Sequence, residues 1–496
     1  MTAPRVVVVG GGVSGLAAAH HLRTLDPDRP ADVLVLESAD RPGGKIRTDT
    51  DGGCVRERGP NGFLDNVPET LDLVRALGLG GRLRRASPGA ADRYLWRGPG
   101  LWKLPASPAE FFASGLLSLG AKFRVLWEPF AKGPPGGDET VFDFARRRIG
   151  EEPARILVDA LVAGVFAGDA RELSLRSAFP AMHAMEAEHG SLVRAMMRRR
   201  KEAKAEEKAK AEEKAKAEEK AKAEEKAKAS EEATASEEAT AGSRGSPFGP
   251  GGTLTTFDQG MQVLTDALAA RLGEAVRTGR RAMGLSREGE RWAVQVADGE
   301  VFRADAVVVA APAPDAAMLL GRFDPRFRPA LEAIPVAPVV VVSLRYPEAA
   351  APKAKAGFGF LVPGCESPRL LGVLWDSTVF EGRAPAGEVL LRAMLGGARR
   401  PELVDRPDDE ILRIVREDLK RTMAIEAEPA EARIYRWVQG IPQYTVGHGE
   451  RLDRIEAIRA GHPRLFLTGN SYRGISMNLC CRDALAVARA VLEGGG

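Results

Sequence analysis

The stretch Arg5-Val-Val-Val-Val-Gly10-Gly-Gly12-Val-Ser-Gly15, with a helical pattern to about Leu25 and then Ala31-Asp-Val-Leu-Val-Leu-Glu37, decides the reading of this chain. Four successive valines without polar alternation describe a strand covered on both faces, as in a parallel sheet. Strand, glycine-rich turn, helix and second strand together make a βαβ unit. Glycines at 10, 12 and 15 have the GxGxxG spacing, in which missing side chains let the backbone approach a pyrophosphate lying on the helix N-terminus. Alone the pattern is weak in a chain with 54 glycines, where a plain tight turn is the alternative. Glu37 strengthens it, because an acid closing the second strand about 20 residues on accepts hydrogen bonds from ribose hydroxyls and repels a 2′-phosphate. Gly10, Gly11, Gly12, Val13, Ser14, Gly15 and Glu37 are therefore expected to bind a dinucleotide.

Two further apolar runs, Ala304–Ala311 and Arg464–Gly469, are similar in kind, so one sheet assembled from three separated segments is expected. Residues 106–200 are mostly helical in pattern, while 335–400 carry strand-like runs such as Pro338–Ser343 and Gly357–Val362. From Lys201 to about Ala241 the hexad Lys-Ala-Lys-Ala-Glu-Glu repeats and then decays. Its period of six fits no coiled coil, and alanine is its only apolar residue, so it reads as an exposed insertion. A Gly/Pro linker follows over Ser243–Gly252. The expected architecture is α/β (α+β overall). Segments 1–88, 253–312 and 431–496 form a Rossmann-like dinucleotide-binding domain, and 89–105 with 313–430 a β-sheet substrate domain. Residues 106–200 form a helical subdomain and 201–252 the low-complexity insertion.

Composition narrows the function classes. Across 496 residues, 71 Lys plus Arg stand against 68 Asp plus Glu, for a net charge of +3, too balanced for wholesale nucleic-acid binding. Four cysteines, Cys54, Cys365, Cys480 and Cys481, form no CxxC pair and no Cys/His cluster, so neither a disulfide scaffold nor a metal site is expected and a reducing cytoplasm fits. The N-terminus lacks the basic flank and long apolar core of a secretory signal. The run around Phe111–Ala121 is about half the length of a membrane crossing, so no spanning helix is expected.

The residues after Glu37 choose between dinucleotides. Ser38-Ala-Asp-Arg41-Pro-Gly43-Gly44-Lys45 resembles the second glycine pair of flavoprotein amine oxidases, desaturases and porphyrinogen oxidases. Gly43 and Gly44 permit close packing over a diphosphate and flavin, and Arg41 or Lys45 offsets phosphate charge. For each residue a glycine loop with a solvated cation is the plain alternative, and for Arg47 the better one. At the other end, Thr468-Gly469-Asn470-Ser-Tyr472-Arg473-Gly474-Ile475-Ser476-Met477-Asn478 reads as a strand end, a loop and a helix to about Leu492. A helix N-terminus aimed at an isoalloxazine stabilises the negative charge that develops there on reduction.

Beyond the cradle the chain resembles the bacterial protoporphyrinogen oxidases, through nearly all of its length except the Lys/Ala/Glu insertion. The carrying segments are Gly59-Pro-Asn-Gly-Phe-Leu-Asp65, Asp92-Arg93-Tyr94 with Leu104–Pro108, Gly164-Val-Phe-Ala-Gly168-Asp169, Thr256–Gly260 and Gly357–Pro363. Arg436-Trp437 with Gly440–Tyr444 and Gly447-His448, and Gly469–Tyr472, complete the set. The resemblance implies non-covalent FAD, with contacts from Gly10–Gly15, Glu37, Arg41, Gly44, Lys45, Gly59, Pro60, Asn61, Gly62, Ala282, Trp437, Gly469, Asn470, Ile475, Ser476 and Met477, the last through its backbone. It also implies that Arg93 pairs with a substrate propionate while Gly168, Leu361 and Phe380 line a macrocycle pocket. Read residue by residue, Arg93 also fits a surface cation, and Leu361, Phe380 and Trp437 also fit the core. Ser476 and Asn478-Leu479-Cys480 depart from the family pattern, which leaves the loop beside the flavin less defined than the N-terminal cradle.

The activity so implied is six-electron oxidation of protoporphyrinogen IX, in three cycles that each reduce dioxygen to hydrogen peroxide. No acid/base pair or nucleophile stands out, and His448 reads as structural. Expected partners are the tetrapyrrole, dioxygen, a second copy of the chain and a membrane surface touched by Phe111-Phe112 to Leu126-Trp127, for which core packing is an equal reading. The expected location is cytoplasmic, peripheral on the inner face of the cell membrane. Two rivals remain: oxidation of coproporphyrinogen III, whose four carboxylates demand more pocket cations, and a non-catalytic carrier resembling the GDP-dissociation inhibitors, which would purify without yellow flavin.

Overall fold

The computed structural model describes residues 3–134, 136–198, 201 and 252–494. The hexad repeat and nearly all of its linker lie outside them.

Among the described residues, five strands form one parallel sheet in the order Val276–Arg277, Asp32–Leu36, Arg5–Val9, Ala306–Val309, Leu465–Leu467. Val6 pairs with Ala306 and Val9 with both Leu36 and Val309. The valine run is explained by what covers it. Val6, Val8, Val33, Val35 and Val308 face the helices Val13–Thr24, Gln262–Leu272 and Met477–Leu492. Val7, Val9, Leu36, Val307 and Val309 face the opposite layer, built from Trp292, Val294 and Val296 and the helix Ala313–Phe323. Each such side chain removed from water contributes roughly 1.5–3 kcal/mol.

A seven-stranded mixed sheet forms the second half, in the order Glu431–Pro442, Val336–Pro347, Glu388–Gly396, Gly372–Leu374, Gly359–Leu361, Arg93–Arg97, Gly100–Lys103. Alternation divides its faces. Val340, Val342 and Leu344 pack with Ile411, Val415 and Leu419 of the helix Asp408–Met423, while Val339 and Val341 pack with Met394, Tyr435 and Trp437. Two segments sit differently from the expected grouping. The strand Glu431–Pro442 pairs antiparallel with Val336–Pro347 and so joins this sheet instead of the parallel one. The helix Ala313–Phe323 packs on the parallel sheet.

The described part of residues 108–189 is mostly helical, and Ser107, Ser118 and Thr140 cap three of the helices through their hydroxyl oxygens. Arg148 is fully buried and ion-paired with Glu128 and Glu186, a charge cluster that ties this subdomain together. The helix Leu119–Leu126 is turned inside out. Lys122 is buried, its ammonium donating to the Phe112 carbonyl (2.8 Å), and Arg124 donates to the carbonyls of Arg147 and Arg148. Leu119, Phe123, Leu126, Trp127 and Phe130 are each more than half exposed. No helix among the described residues is long and apolar enough to cross a membrane.

Candidate cofactor and substrate site

The first strand ends at Val9 and the helix starts at Val13, so the intervening glycines lie at the C-terminal edge of the parallel sheet. Gly10 has φ 111°, and a Cβ there would come within 3.0 Å of the Ala310 backbone on the neighbouring strand. A Cβ on Gly15 would collide with the Gly10 carbonyl oxygen. Gly12 is different: its nearest neighbour would be the Gly44 Cα at 4.0 Å. The protein's own packing therefore demands Gly10 and Gly15, whereas Gly12 is left open to a ligand. Val13 and the buried Ser14 are the first helical residues behind it.

Glu37 is buried and ties the first glycine loop to the turn that follows its own strand. Its Oε2 accepts from the Gly11 N–H (2.7 Å) and its Oε1 from the Ala39 N–H (2.8 Å). The Gly43 N–H donates to the Gly11 carbonyl (2.8 Å), and Gly12 and Gly43 form a parallel bridge, so the second glycine pair is stitched directly over the first. Arg41 stays local, its guanidinium reaching the Pro42 carbonyl at 3.3 Å. Lys45 reaches across to the other half of the molecule, donating to the Gly440 carbonyl (2.6 Å), and burial pushes its ammonium down to about 8.

The loop Gly59–Gly62 is pinned from three sides. A Cβ on Gly59 would overlap the Lys45 carbonyl oxygen, and one on Gly62 would come within 2.7 Å of the Thr255 carbonyl oxygen. Arg392, buried in the seven-stranded sheet, donates to the Gly59 carbonyl (2.8 Å), and the Trp437 indole donates to the Arg58 carbonyl (2.7 Å). Pro60 is exposed, and the Asn61 amide nitrogen is buried without a hydrogen-bond partner among the described residues. Ala282 opens the strand Ala282–Glu288, two residues past Arg280, whose N–H donates to the Glu37 carbonyl (2.8 Å). The C-terminal loop carries Gly469 at φ 124° and Asn470, whose carbonyl accepts from the Tyr444 hydroxyl (2.6 Å). Half-buried Ile475 packs in the helical-subdomain core. Ser476 caps the last helix through the Leu479 N–H (3.2 Å), and Met477 is buried against the first helix.

These residues fit a dinucleotide: separate segments supply an open Gly12 before a helix N-terminus, an Asn61 donor unpartnered among the described residues and a half-buried Lys45 cation.

On the substrate side, Arg93 opens the strand Arg93–Arg97 beside Gly359, its guanidinium 5.2 Å from the centre of the Phe358 ring. It is exposed and forms no ion pair among the described residues. Leu361 is half-buried against Gly164, where a Cβ would come within 2.8 Å of it. Gly168 is buried, and a Cβ there would lie 2.5 Å from the Gln443 side-chain oxygen. Phe380 is fully buried in a cluster with Ala90 and Val379, and the half-buried Phe358 packs against that cluster.

Sequence reasoning missed several residues. Arg383 and Glu57 form a buried ion pair (2.9 Å) between the two halves of the molecule, and Glu57 also accepts from the Met261 N–H and the Thr48 hydroxyl. Burial pushes Glu57 upward, against the pull of Arg383. Arg392, 3.3 Å from the buried Asp376, was equally unmarked. A charge inside the apolar run Leu390-Leu391-Arg392-Ala393-Met394 was the available signal.

The profile described as flavin containing amine oxidoreductase matches residues 13–492. Human protoporphyrinogen oxidase is 32% identical, with 98% of each chain covered. Coproporphyrinogen III oxidase of Bacillus subtilis (strain 168) is 30% identical over 98% of this chain and 97% of its own length. A crystal structure of a protoporphyrinogen oxidase candidate from Exiguobacterium sp. 255-15 superposes with a TM-score of 0.79 at 24% identity, covering 99% of this chain and all of that one, which shows the fold. With its glycine cradle and its match over nearly the whole length, the chain belongs to the family of flavin-containing amine oxidoreductases and is an FAD-dependent enzyme.

Proposed function

We propose that the chain oxidises protoporphyrinogen IX to protoporphyrin IX in porphyrin and haem biosynthesis, with dioxygen as the final oxidant. The observation that carries this reading is Arg93, a guanidinium with no carboxylate partner among the described residues, laid on the Phe358 ring at the start of the strand Arg93–Arg97. A propionate supplies the charge that Arg93 lacks, through paired charge-assisted hydrogen bonds. Leu361 over Gly164 offers an apolar wall, and Gly168 lets the turn after Phe166 pack tightly against Gln443 and Leu173 behind that wall. FAD, when bound by Gly10–Gly15, Glu37, Lys45, Gly59–Gly62 and Gly469–Met477, accepts two electrons per cycle from the porphyrinogen and passes them to dioxygen. Six electrons and six protons leave the substrate in three such cycles, and three dioxygen molecules become three hydrogen peroxide molecules. The protein's part is placement and exclusion of water.

A second reading, oxidation of coproporphyrinogen III, is supported by the Bacillus relative of that name. Anaerobic mixing of the holoenzyme with each porphyrinogen separates them. Faster bleaching of the yellow colour by protoporphyrinogen is the expected result, faster bleaching by coproporphyrinogen selects the second reading, and bleaching by neither overturns both.

The exposed stripe Leu119, Phe123, Leu126, Trp127 and Phe130 supports peripheral contact with a lipid surface on the cytoplasmic side, where so apolar a substrate would reside. Co-sedimentation with lipid vesicles, lost on Phe123→Glu with Trp127→Glu, is the expected outcome. Vesicle binding that survives both changes removes the stripe from the contact.

A further inference from the structure

Gln443 and Tyr444, the two residues that follow the strand Glu431–Pro442, hold two different parts of the site. The Gln443 side chain is buried, and its amide nitrogen donates to the carbonyls of Phe166 (2.8 Å) and Ile441 (3.0 Å). Only the nitrogen can serve two carbonyls, so the amide orientation is fixed and its oxygen is turned toward Gly168. Gln443 thus sets the end of the helix Asp159–Phe166 and the turn that presents Gly168.

Tyr444 reaches the other way. Its hydroxyl donates to the Asn470 carbonyl (2.6 Å) and accepts from the Gly474 N–H (2.8 Å), closing the loop between them. Its ring stacks on His448 with centroids 4.1 Å apart and planes 15° apart. The His448 Nε2 must carry a proton, because it meets the Tyr472 carbonyl at 3.0 Å, and burial lowers the pKa of the imidazole. Three bonds from one stacked pair therefore converge on residues 470–474, and the Tyr444 carbonyl accepts from the Ser174 N–H (2.8 Å) to anchor the pair in the helical subdomain.

We propose that Gln443 and Tyr444 are positioning residues that act as a two-armed clasp: Tyr444 sets the Gly469–Ser476 loop for the flavin and Gln443 sets Phe166–Gly168 for the substrate. The proposal rests on the cofactor and substrate reading above. Neither residue touches the reacting atoms. The arms are separable because they are different side chains on different targets, whereas a merely structural role in the core would weaken both sites together.

The test uses the holoenzyme and two near-isosteric variants. Tyr444→Phe removes only the hydroxyl, and FAD release, followed by the rise of free-flavin fluorescence, is expected to quicken about ten-fold or more, as for the hydroxyl's two lost hydrogen bonds, with the KM for protoporphyrinogen within about two-fold of the parent. Gln443→Met keeps the volume, and the KM is expected to rise about five-fold or more while FAD release stays within about two-fold. Hydrogen exchange adds a readout independent of turnover: Tyr444→Phe should speed exchange in 469–476 and leave 159–168 unchanged, and Gln443→Met should do the reverse. Both variants shifting both regions, or neither shifting either, overturns the clasp. A parent enzyme that oxidises no porphyrinogen overturns the substrate reading instead, because FAD release and exchange still report on each arm.

Discussion

The Gly10–Gly15 turn and the wall around Arg93 hold their shapes by opposite means. In the turn the contacts are mostly backbone on backbone: Gly43 on Gly11, Gly10 against Ala310, and Gly15 against the Gly10 carbonyl, with the Glu37 carboxylate as a side-chain tie to Gly11. In the wall side chains make the contacts: Arg93 over Phe358, Phe358 against the cluster that holds Phe380, and Leu361 over Gly164. A site built of backbone has nothing to truncate and fails when an atom is added. A site built of side chains fails when one is shortened, and can be repacked for a different substrate without disturbing the cofactor beside it.

The largest effects should follow from adding atoms to the turn. Gly15→Val forces its side chain into the Gly10 carbonyl, and overpacking against backbone costs about 3 kcal/mol or more, so little yellow, folded protein should be recovered. Gly12→Ala is the sharper experiment, since its Cβ meets nothing nearer than 4.0 Å within the protein. The melting temperature of the FAD-free protein should not change, while FAD affinity should fall on the order of a hundred-fold because the backbone can no longer approach the pyrophosphate. Unchanged FAD binding in Gly12→Ala would show that the opening is not the diphosphate site.

The seam between turn and wall comes next. Arg383→Met leaves Glu57 buried without its cation, and breaking one side of a buried pair typically costs about 3–5 kcal/mol, read as a lower denaturant midpoint. The double variant Arg383→Met with Glu57→Gln should recover part of that loss. Failure to recover would mean that Arg383 matters for its stacking on Phe380 (5.3 Å) more than for its charge.

The same contrast explains what could be read in advance. Glycine spacing encodes backbone approach, so Gly10, Gly12, Gly15 and the Gly43–Gly44 pair were visible locally, and the valine runs announced a sheet covered on both faces. Arg392 reaching Gly59 and Arg383 reaching Glu57 join residues more than 300 positions apart, and no local pattern specifies such partners. The helix Leu119–Leu126 was half legible: its apolar residues were plain, but Lys122 turns inward to satisfy backbone carbonyls, which composition alone does not reveal. Membership of residues 431–442 was misleading because Trp437 packs toward the cradle while its strand pairs in the other sheet.

Truncation on the wall should give a smaller and cleaner effect. Arg93→Ala removes a guanidinium that no carboxylate among the described residues pairs with, so stability and the flavin spectrum should be preserved. The KM for protoporphyrinogen should rise about ten- to a hundred-fold, the worth of hydrogen bonds to a charged group at roughly 1.5–3 kcal/mol. Arg93→Lys should recover only part, since an ammonium cannot make the paired contact. Unchanged steady-state kinetics in Arg93→Ala would move the propionate elsewhere.

The smallest effect sits where the two construction modes meet, at Lys45, a side chain inside the backbone-built cradle. Burial holds its pKa near 8, well below the ordinary lysine value, so the FAD-free protein loses that proton as pH rises through about 8. A bound pyrophosphate opposes the loss by stabilising the ammonium, which raises the pKa in the complex. Binding then takes up a proton between the two values, and linkage fixes the sign: FAD affinity is greatest below pH 8 and falls as pH rises from there toward the pKa of the complex. Titration of the FAD-free protein at pH 7.5 and 9.5 should show affinity several-fold weaker at the higher pH, a modest slope consistent with one group. Lys45→Met should bind FAD more weakly at pH 7.5 and show a flat profile across this range. A slope that survives the substitution would assign the proton to another group and leave the Gly440 carbonyl as the whole purpose of the lysine.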